Sequence, residues 1–206
     1  MMRCVIISGG AVGDYDLLRR NCGDADLIIC ADSGITHLDR IGIVPDIWVG
    51  DFDSARGDYS ARHRITLPRE KDDTDTMYAA RIAVEEGAKH VTLLAASGTR
   101  LDHTIANLFV LKFLEDNGVR AVLNDEHNSV FIVTDNATVA RTDGTFLSIL
   151  PFCCTARGVS ISGVKYPLDG AVLYDNFTLG ISNEIIADFA QITVKNGALA
   201  VFMSKD

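Results

Sequence analysis

Asp51 and Asp53 stand two residues apart in GDFDS at 50–54, with only Phe52 between them, directly after the apolar run PDIWVG. In an extended segment, residues two apart point to the same side, roughly 6–7 Å from each other. Two carboxylates held that close repel unless a cation lies between them. Mg²⁺ accepts one or two carboxylates and fills its other positions with water and phosphate oxygens. The pair therefore reads as a metal seat, or as Asp51 capping a strand end and Asp53 capping a turn through its side chain. Further carboxylates fall at similar places: Asp32 in ICADSG, Asp72, Asp73 and Asp75 in KDDTD, and Asp102 in GTRLDH. In KDDTDTMYAA, Lys71 and the amides of a helix start offer positive potential to a phosphate, Thr74 can cap, and Asp75 can reach a metal. The same segment also reads as an ordinary acid-rich helix start. SGTRLDHTIAN adds Gly98, where backbone can approach a ligand, and Arg100, a planar cation that fits phosphate oxygens. His103 there is a ligand contact or a structural first-turn histidine. SGGAVGD at 8–14 is neither a Walker A loop nor a GxGxxG fingerprint, and reads as a tight first turn. GISNE at 180–184 offers Ser182 and Asn183 among turn residues.

The elements that position these residues change character along the chain. Up to residue 124, apolar strands (3–8, 27–31, 47–49, 64–67, 91–95 and 121–124) alternate with amphipathic helices (15–21, 35–41, 75–86 and 103–117). Gly87 and Gly118 suit helix C-termini, and Asp73 or Thr74 and Asp102 suit N-caps. This alternation predicts an α/β domain with a mostly parallel, Rossmann-like sheet and flanking helices. In such sheets ligands bind beyond the carboxyl ends of the strands, so the acidic loops converge on the edge where a ligand sits. From residue 125 onward the pattern is short strands (129–133, 146–150, 158–162, 171–174 and 191–194). DG at 143–144 and 169–170, and NG at 196–197, predict hairpin turns, with ALAVFM as a return strand. The expected division is 1–124, a catalytic α/β domain, and 125–206, a small all-β sandwich.

The 206 residues, 48 % of them hydrophobic, suffice for one domain or two small ones. No apolar run is long enough to span a bilayer, and MMRCVIISGG reads as a first strand more than a signal peptide, so a cytoplasmic protein is expected. The five cysteines include no zinc spacing, and Cys4 and Cys30 fall in apolar strands. A net charge of −9 disfavours a nucleic-acid surface but not a small anion neutralised locally by metal ions and a few basic residues.

Taken in order, ADSG, GDFDS, KDDTD, GTRLDH and GISNE resemble the thiamine pyrophosphokinases of the bacterial type. KYPL at 165–168 fits that family's second domain. The resemblance implies an ATP-binding α/β domain, a thiamine-binding β-sandwich, and a homodimer with active sites where two chains meet. It implies transfer of a pyrophosphoryl group from ATP to the thiamine hydroxyl, with Mg²⁺, giving thiamine diphosphate and AMP. Asp51, Asp53 and Asp75 would then hold magnesium, and Asp32 would lie near the attacking hydroxyl. Lys71, Asp72, Thr74, Arg100, Asp102 and His103 would position ATP. Ser182 and Asn183 would meet thiamine, from the partner subunit. Ser33 and Thr99 stand where many relatives carry glycine. The only tryptophan, Trp48, lies in a strand of the first domain, so Tyr166 or Tyr174 would have to stack on thiamine. Two rivals are the same chemistry on another alcohol, such as a pterin carbinol, and a non-catalytic nucleotide-binding module.

Overall fold

A computed structural model describes residues 1–53 and 57–206. Ser54, the last residue of GDFDS, lies outside them. The chain forms two compact units, Met1–Glu126 and His127–Asp206.

The first unit holds strands β1 (Arg3–Ile7), β2 (Leu27–Ala31), β3 (Ile47–Gly50), β4 (His63–Thr66), β5 (His90–Leu94) and β6 (Arg120–Asn124). Its helices are α1 (Tyr15–Gly23), α2 (Ile35–Arg40), α3 (Asp75–Glu85) and α4 (Leu101–Asp116). Every strand pairing is parallel, in the order β4-β3-β2-β1-β5-β6. Val5, Ile7, Cys30, Trp48 and Leu94 share one buried cluster with Leu18 of α1 and Ile35 and Leu38 of α2. Helix α3 packs on β1, β2 and β3 and buries Ala79, Ala80 and Ala83, small residues that let a helix approach closely. Thr74 caps α3, its Oγ1 accepting from the Met77 amide at 3.2 Å. Gly87 and Gly118 take the left-handed conformation just past α3 and α4. Asp102 is not a cap: α4 begins at Leu101, with Arg100 at the capping position, so Asp102 lies inside the first turn.

The second unit is all-β, with β7 (Asn128–Val133), β8 (Asn136–Ala140), β9 (Phe146–Pro151), β10 (Ala156–Ser162), β11 (Leu168–Leu173), β12 (Phe189–Thr193) and β13 (Leu199–Ser204). One antiparallel layer runs β7-β13-β9 and the other β11-β10-β12-β8. Leu147, Ile149 and Val201 from the first meet Val159, Ile161 and Ile192 from the second in one core, which makes the sandwich. None of the three expected hairpin turns joins paired strands. Asp143–Gly144 and Asn196–Gly197 link strands of different layers, and Asp169–Gly170 lies within β11, where its register against β10 shifts. β13 returns to β7 and β9, not to β12. Gly144, Gly170 and Gly197 do adopt positive φ. The dipeptides marked the backbone reversal but not the partner.

No described helix is long and apolar enough to cross a membrane. Cys4, Cys22 and Cys30 are buried, whereas Cys153 and Cys154 are exposed.

Candidate active site

The site is built where β1, β2, β3 and β5 end. Asp32 is the first residue after β2, in a single 3₁₀ turn, with φ +44°. Gly50 closes β3 directly against it: a Cβ at Gly50 would stand 3.0 Å from Asp32 Cα. Asp51 follows, then Phe52 at φ +61°, then Asp53, whose N–H donates to Asp51 Oδ1 at 3.1 Å. The segment is therefore a tight turn and not the extended stretch the sequence suggested. The left-handed Phe52 turns the chain back so that one carboxylate oxygen each from Asp32, Asp51 and Asp53 lie within 4.8 Å of one another. The side chain that caps this turn is that of Asp51, accepting from the Asp53 amide, and not that of Asp53 as the sequence suggested. Left-handed conformations at non-glycine residues cost about 1–3 kcal/mol each and persist where the surroundings enforce them.

Lys71 neutralises part of this charge. Its nearly buried ammonium lies 2.8 Å from Asp75 Oδ1 and 3.9 Å from Asp51 Oδ2. Burial alone would lower the Lys71 pKa, but the Asp75 carboxylate, with Asp51 and Asp32, raises it above the ordinary lysine value. The Asp53 amide holds Asp51 below the usual carboxylate range against the opposing effect of burial. Arg69 reaches Asp53 at 3.4 Å. Among the described residues the three-carboxylate group consists of Asp32, Asp51 and Asp53, while Asp75 faces Lys71. The donor set is all hard oxygen, which fits a divalent cation of the Mg²⁺ type.

Next to this group opens a cleft of about 420 Å³. It lies where the strand order turns from β1 to β5, the usual ligand crevice of an open α/β sheet. Ser8, Gly10, Asp32, Ser33 and the α3 start at Thr74–Thr76 form one wall. Ala95–Arg100, His103 and Asn107 form the other. The loops are locked together. The Gly10 N–H donates to Ala95 O at 2.7 Å, and a Cβ on Gly10 would come within 2.3 Å of Ser97 O. Ala95 itself has φ +51°. Buried Asn107 donates Nδ2–H to Ala96 O at 2.6 Å, and Ser97 Oγ donates to Asp125 at 2.7 Å. Ser8 and Thr76 share a buried hydroxyl–hydroxyl bond of 2.9 Å. His37 Nε2 reaches Gly10 O at 2.8 Å and must donate there, leaving Nδ1 to accept from Tyr15 at 2.8 Å; burial lowers its pKa and favours this neutral form.

Arg100 is exposed at the mouth and pairs with Asp102 at two points, 2.5 and 3.2 Å. That pairing draws the Asp102 carboxyl down to about 2. The structure thus brings Asp32, Thr74, Asp75, Arg100 and His103 to the cleft and Asp51 and Asp53 to Asp32. Lys71 bridges Asp51 and Asp75. Asp72 is exposed, and neither it nor Asp102 lines the cleft. SGGAVGD, which reads from the sequence only as a tight first turn, contributes Ser8 and Gly10 to the cleft, and Ser97 and Asn107 carry no signal of their own in the sequence. Strand order would have found them, because only β1 and β5 flank the switch point.

In the second unit Asn183 is buried and committed to backbone. Its Oδ1 accepts from the Tyr166 and Glu184 amides at 3.0 and 2.9 Å, and Nδ2 donates to Tyr166 O at 2.8 Å. It fixes Tyr166, which with Ile149, Leu179 and Ile181 lines an apolar cavity of about 220 Å³. Ser182, at φ +55°, is exposed and donates its N–H to Ser148 Oγ. Tyr174 does not line this cavity.

Residues 18–123 match the family described as thiamin pyrophosphokinase, catalytic domain, and residues 132–199 the one described as thiamin pyrophosphokinase, vitamin B1 binding domain. A thiamine pyrophosphokinase of Bacillus subtilis is 27 % identical over 209 residues, covering 98 % of both chains. The crystal structure of thiamine pyrophosphokinase from Bacillus subtilis superposes with a TM-score of 0.87 at 26 % identity, over 99 % of each chain. That from Geobacillus thermodenitrificans gives 0.85 at 28 % identity, over 100 % of this chain and 98 % of the other.

Proposed function

The chain belongs to the thiamin pyrophosphokinase family, and on that premise we propose that it transfers the pyrophosphoryl group of ATP to the hydroxyl of thiamine, releasing thiamine diphosphate and AMP. The observation that carries this reading is the position of Asp32. It belongs both to the three-carboxylate group and to the wall of the cleft, so a cation and a nucleotide would share one residue.

The thiamine oxygen attacks the β-phosphorus in line; the bond from that phosphorus to the bridging oxygen of AMP breaks, and the hydroxyl proton passes to a carboxylate or water. Such a transfer asks the protein for position and charge more than for covalent work. Asp32, Asp51 and Asp53 would hold the cation, with Asp75 on the far side of Lys71. When bound, a divalent cation of the Mg²⁺ type would supply neutralisation of the triphosphate charge. Lys71 and Arg100 place positive charge on non-bridging phosphate oxygens, Arg100 exchanging Asp102 for phosphate. Thr74 and His103, which line the cleft, complete the nucleotide surroundings, with Asp72 and Asp102 outside its walls. Asp32 orients the hydroxyl. The acidic rim also suits the cationic thiazolium.

Unit 1 is the ATP- and Mg²⁺-binding part and unit 2 the thiamine-binding part. Tyr166, fixed by Asn183 above an apolar cavity, is the surface for thiamine's rings, with Ser182 at its margin. The protein is a cytoplasmic homodimer, and the active sites form where two chains meet. Supporting this, unit 1 exposes Leu101, Ile105 and Phe109 along one face of α4, and unit 2 exposes Tyr166, Phe177, Ile181, Ile186 and Phe189.

Incubation with ATP, Mg²⁺ and thiamine, followed by chromatography of the products, tests the reading. AMP and thiamine diphosphate are expected in equal amounts. AMP formation with a pterin carbinol but not with thiamine would assign another acceptor, and nucleotide binding without AMP would leave only a binding module.

A further inference from the structure

Trp48 is the only tryptophan of the chain and is 1 % exposed. It lies in the middle of β3, beside Cys30 of β2 and Arg64 of β4 in the parallel register. A buried indole needs an acceptor for its N–H. Here the acceptor is the carbonyl oxygen of Asp32, at 2.9 Å, which also lies 3.9 Å from the Cys30 thiol. The ring meets Phe52 edge-on, with centroids 4.4 Å apart, and Tyr59 at 6.0 Å. The Arg64 guanidinium covers Trp48 at 4.3 Å and Phe52 at 5.5 Å. Trp48 therefore touches two of the left-handed non-glycine residues of this edge, Asp32 and Phe52. These are the two backbone points that aim the three carboxylates: Asp32 carries one, and Phe52 sits between the other two.

We propose that Trp48 is a positioning residue for the carboxylate group. Its N–H pins the Asp32 peptide and its ring wedges Phe52, so that Asp32, Asp51 and Asp53 are held together before a cation arrives. Trp48 acts through these residues and touches neither substrate nor cation. The inference rests on the reading that the group binds a divalent cation. Groups that orient metal ligands in this way change metal affinity by about 10- to 100-fold when removed.

The test uses Mn²⁺ alone, without nucleotide, with free Mn²⁺ read by electron paramagnetic resonance. Three proteins are compared: the unaltered chain, Trp48→Phe, and the chain in which Trp48 is replaced biosynthetically by 3-benzothienylalanine, which keeps the ring shape and removes only the N–H donor. The unaltered chain is expected to bind Mn²⁺ and to change its Trp48 emission on binding. Both altered proteins are expected to bind at least about tenfold more weakly. Thermal melting and circular dichroism report folding separately, and if Trp48→Phe does not fold the benzothienyl protein decides. Mn²⁺ affinity within twofold of the unaltered chain in the benzothienyl protein, whatever its melting temperature, overturns the positioning role while leaving the cation reading intact. Absence of Mn²⁺ binding by the unaltered chain overturns the cation reading, and the positioning role with it.

Discussion

The carboxyl edge of unit 1 and the Tyr166 face of unit 2 solve opposite problems. The first gathers like charges on a strained backbone, with Asp32, Phe52 and Ala95 all at positive φ. The second is apolar and internally satisfied, with Asn183 spending its amide on the Tyr166 backbone. On the proposed function the edge would wait for a cation to cancel its charge, and meanwhile the Asp53 amide and Lys71 hold Asp51 ionised. The face is held ready by ordinary burial and hydrogen bonds, and costs little while it waits. On the proposed function, a metal-bound polyphosphate would use the first kind of preparation, and a flat organic ring the second.

Removing one carboxylate should separate the two most sharply. Asp53→Asn is expected to lower kcat by about 10²- to 10³-fold, the loss of several kcal/mol of charge stabilisation. It should also raise the melting temperature of the metal-free protein by about 1–3 °C, because a repulsion is relieved. Near-normal turnover at saturating Mg²⁺ and ATP would break the contrast. On the other face, Asn183→Ala is expected to raise KM for thiamine about tenfold with KM for ATP unchanged. It should also destabilise the fold by about 1–3 kcal/mol, since buried amides of Tyr166 and Glu184 lose their acceptor. Steady-state kinetics and denaturant melts read both quantities, and an equal rise in both KM values would detach Asn183 from the acceptor.

The first of these changes was legible in the sequence and the second only half so. GDFDS and ADSG announce their charge by type and spacing, and alternating strands and helices announce the sheet whose edge they occupy. What the sequence could not show was how they converge. That depends on Phe52 being left-handed and on Gly50 letting Asp32 come close, both products of neighbouring strands. The resemblance places Asp75 with the metal pair, and the fold adds what the sequence does not show, that the Lys71 ammonium lies 2.8 Å from its carboxylate. In unit 2 the turn dipeptides predict hairpins, yet pairing is non-local. β8, NATVA, escaped notice because five small or polar residues carry little alternation. Asn183 and Ser182 were visible as residues, but Asn183's work on Tyr166 is a contact across seventeen positions.

Two smaller effects sharpen the comparison. Phe177→Asp is expected to weaken self-association several-fold or more by sedimentation, if the apolar face of unit 2 is buried by a second chain. An unchanged dimer would place the interface elsewhere. The least change is expected with pH. Asp51 has a depressed pKa, so its contribution to stability is complete above its unfolded value of 3.8 and is lost as pH falls through the lower folded value. Lys71 has a raised pKa, so its contribution is complete below 10.5 and is lost as pH rises through the higher folded value. Between about pH 5 and 9 the pair should therefore leave the melting temperature nearly constant. A steep slope there would point to another titrating group at the edge.

The strand order β4-β3-β2-β1-β5-β6 also has a consequence for biosynthesis. β1 is central, so a growing chain can lay β2, β3 and β4 outward from it in turn, assembling the carboxylate group early. The cleft cannot exist until β5 docks on the other flank and Asn107 emerges to hold its loop. Ribosome-bound fragments ending before His90 should thus resist protease without gaining protection from ATP, and fragments extending well beyond Asn107 should gain it.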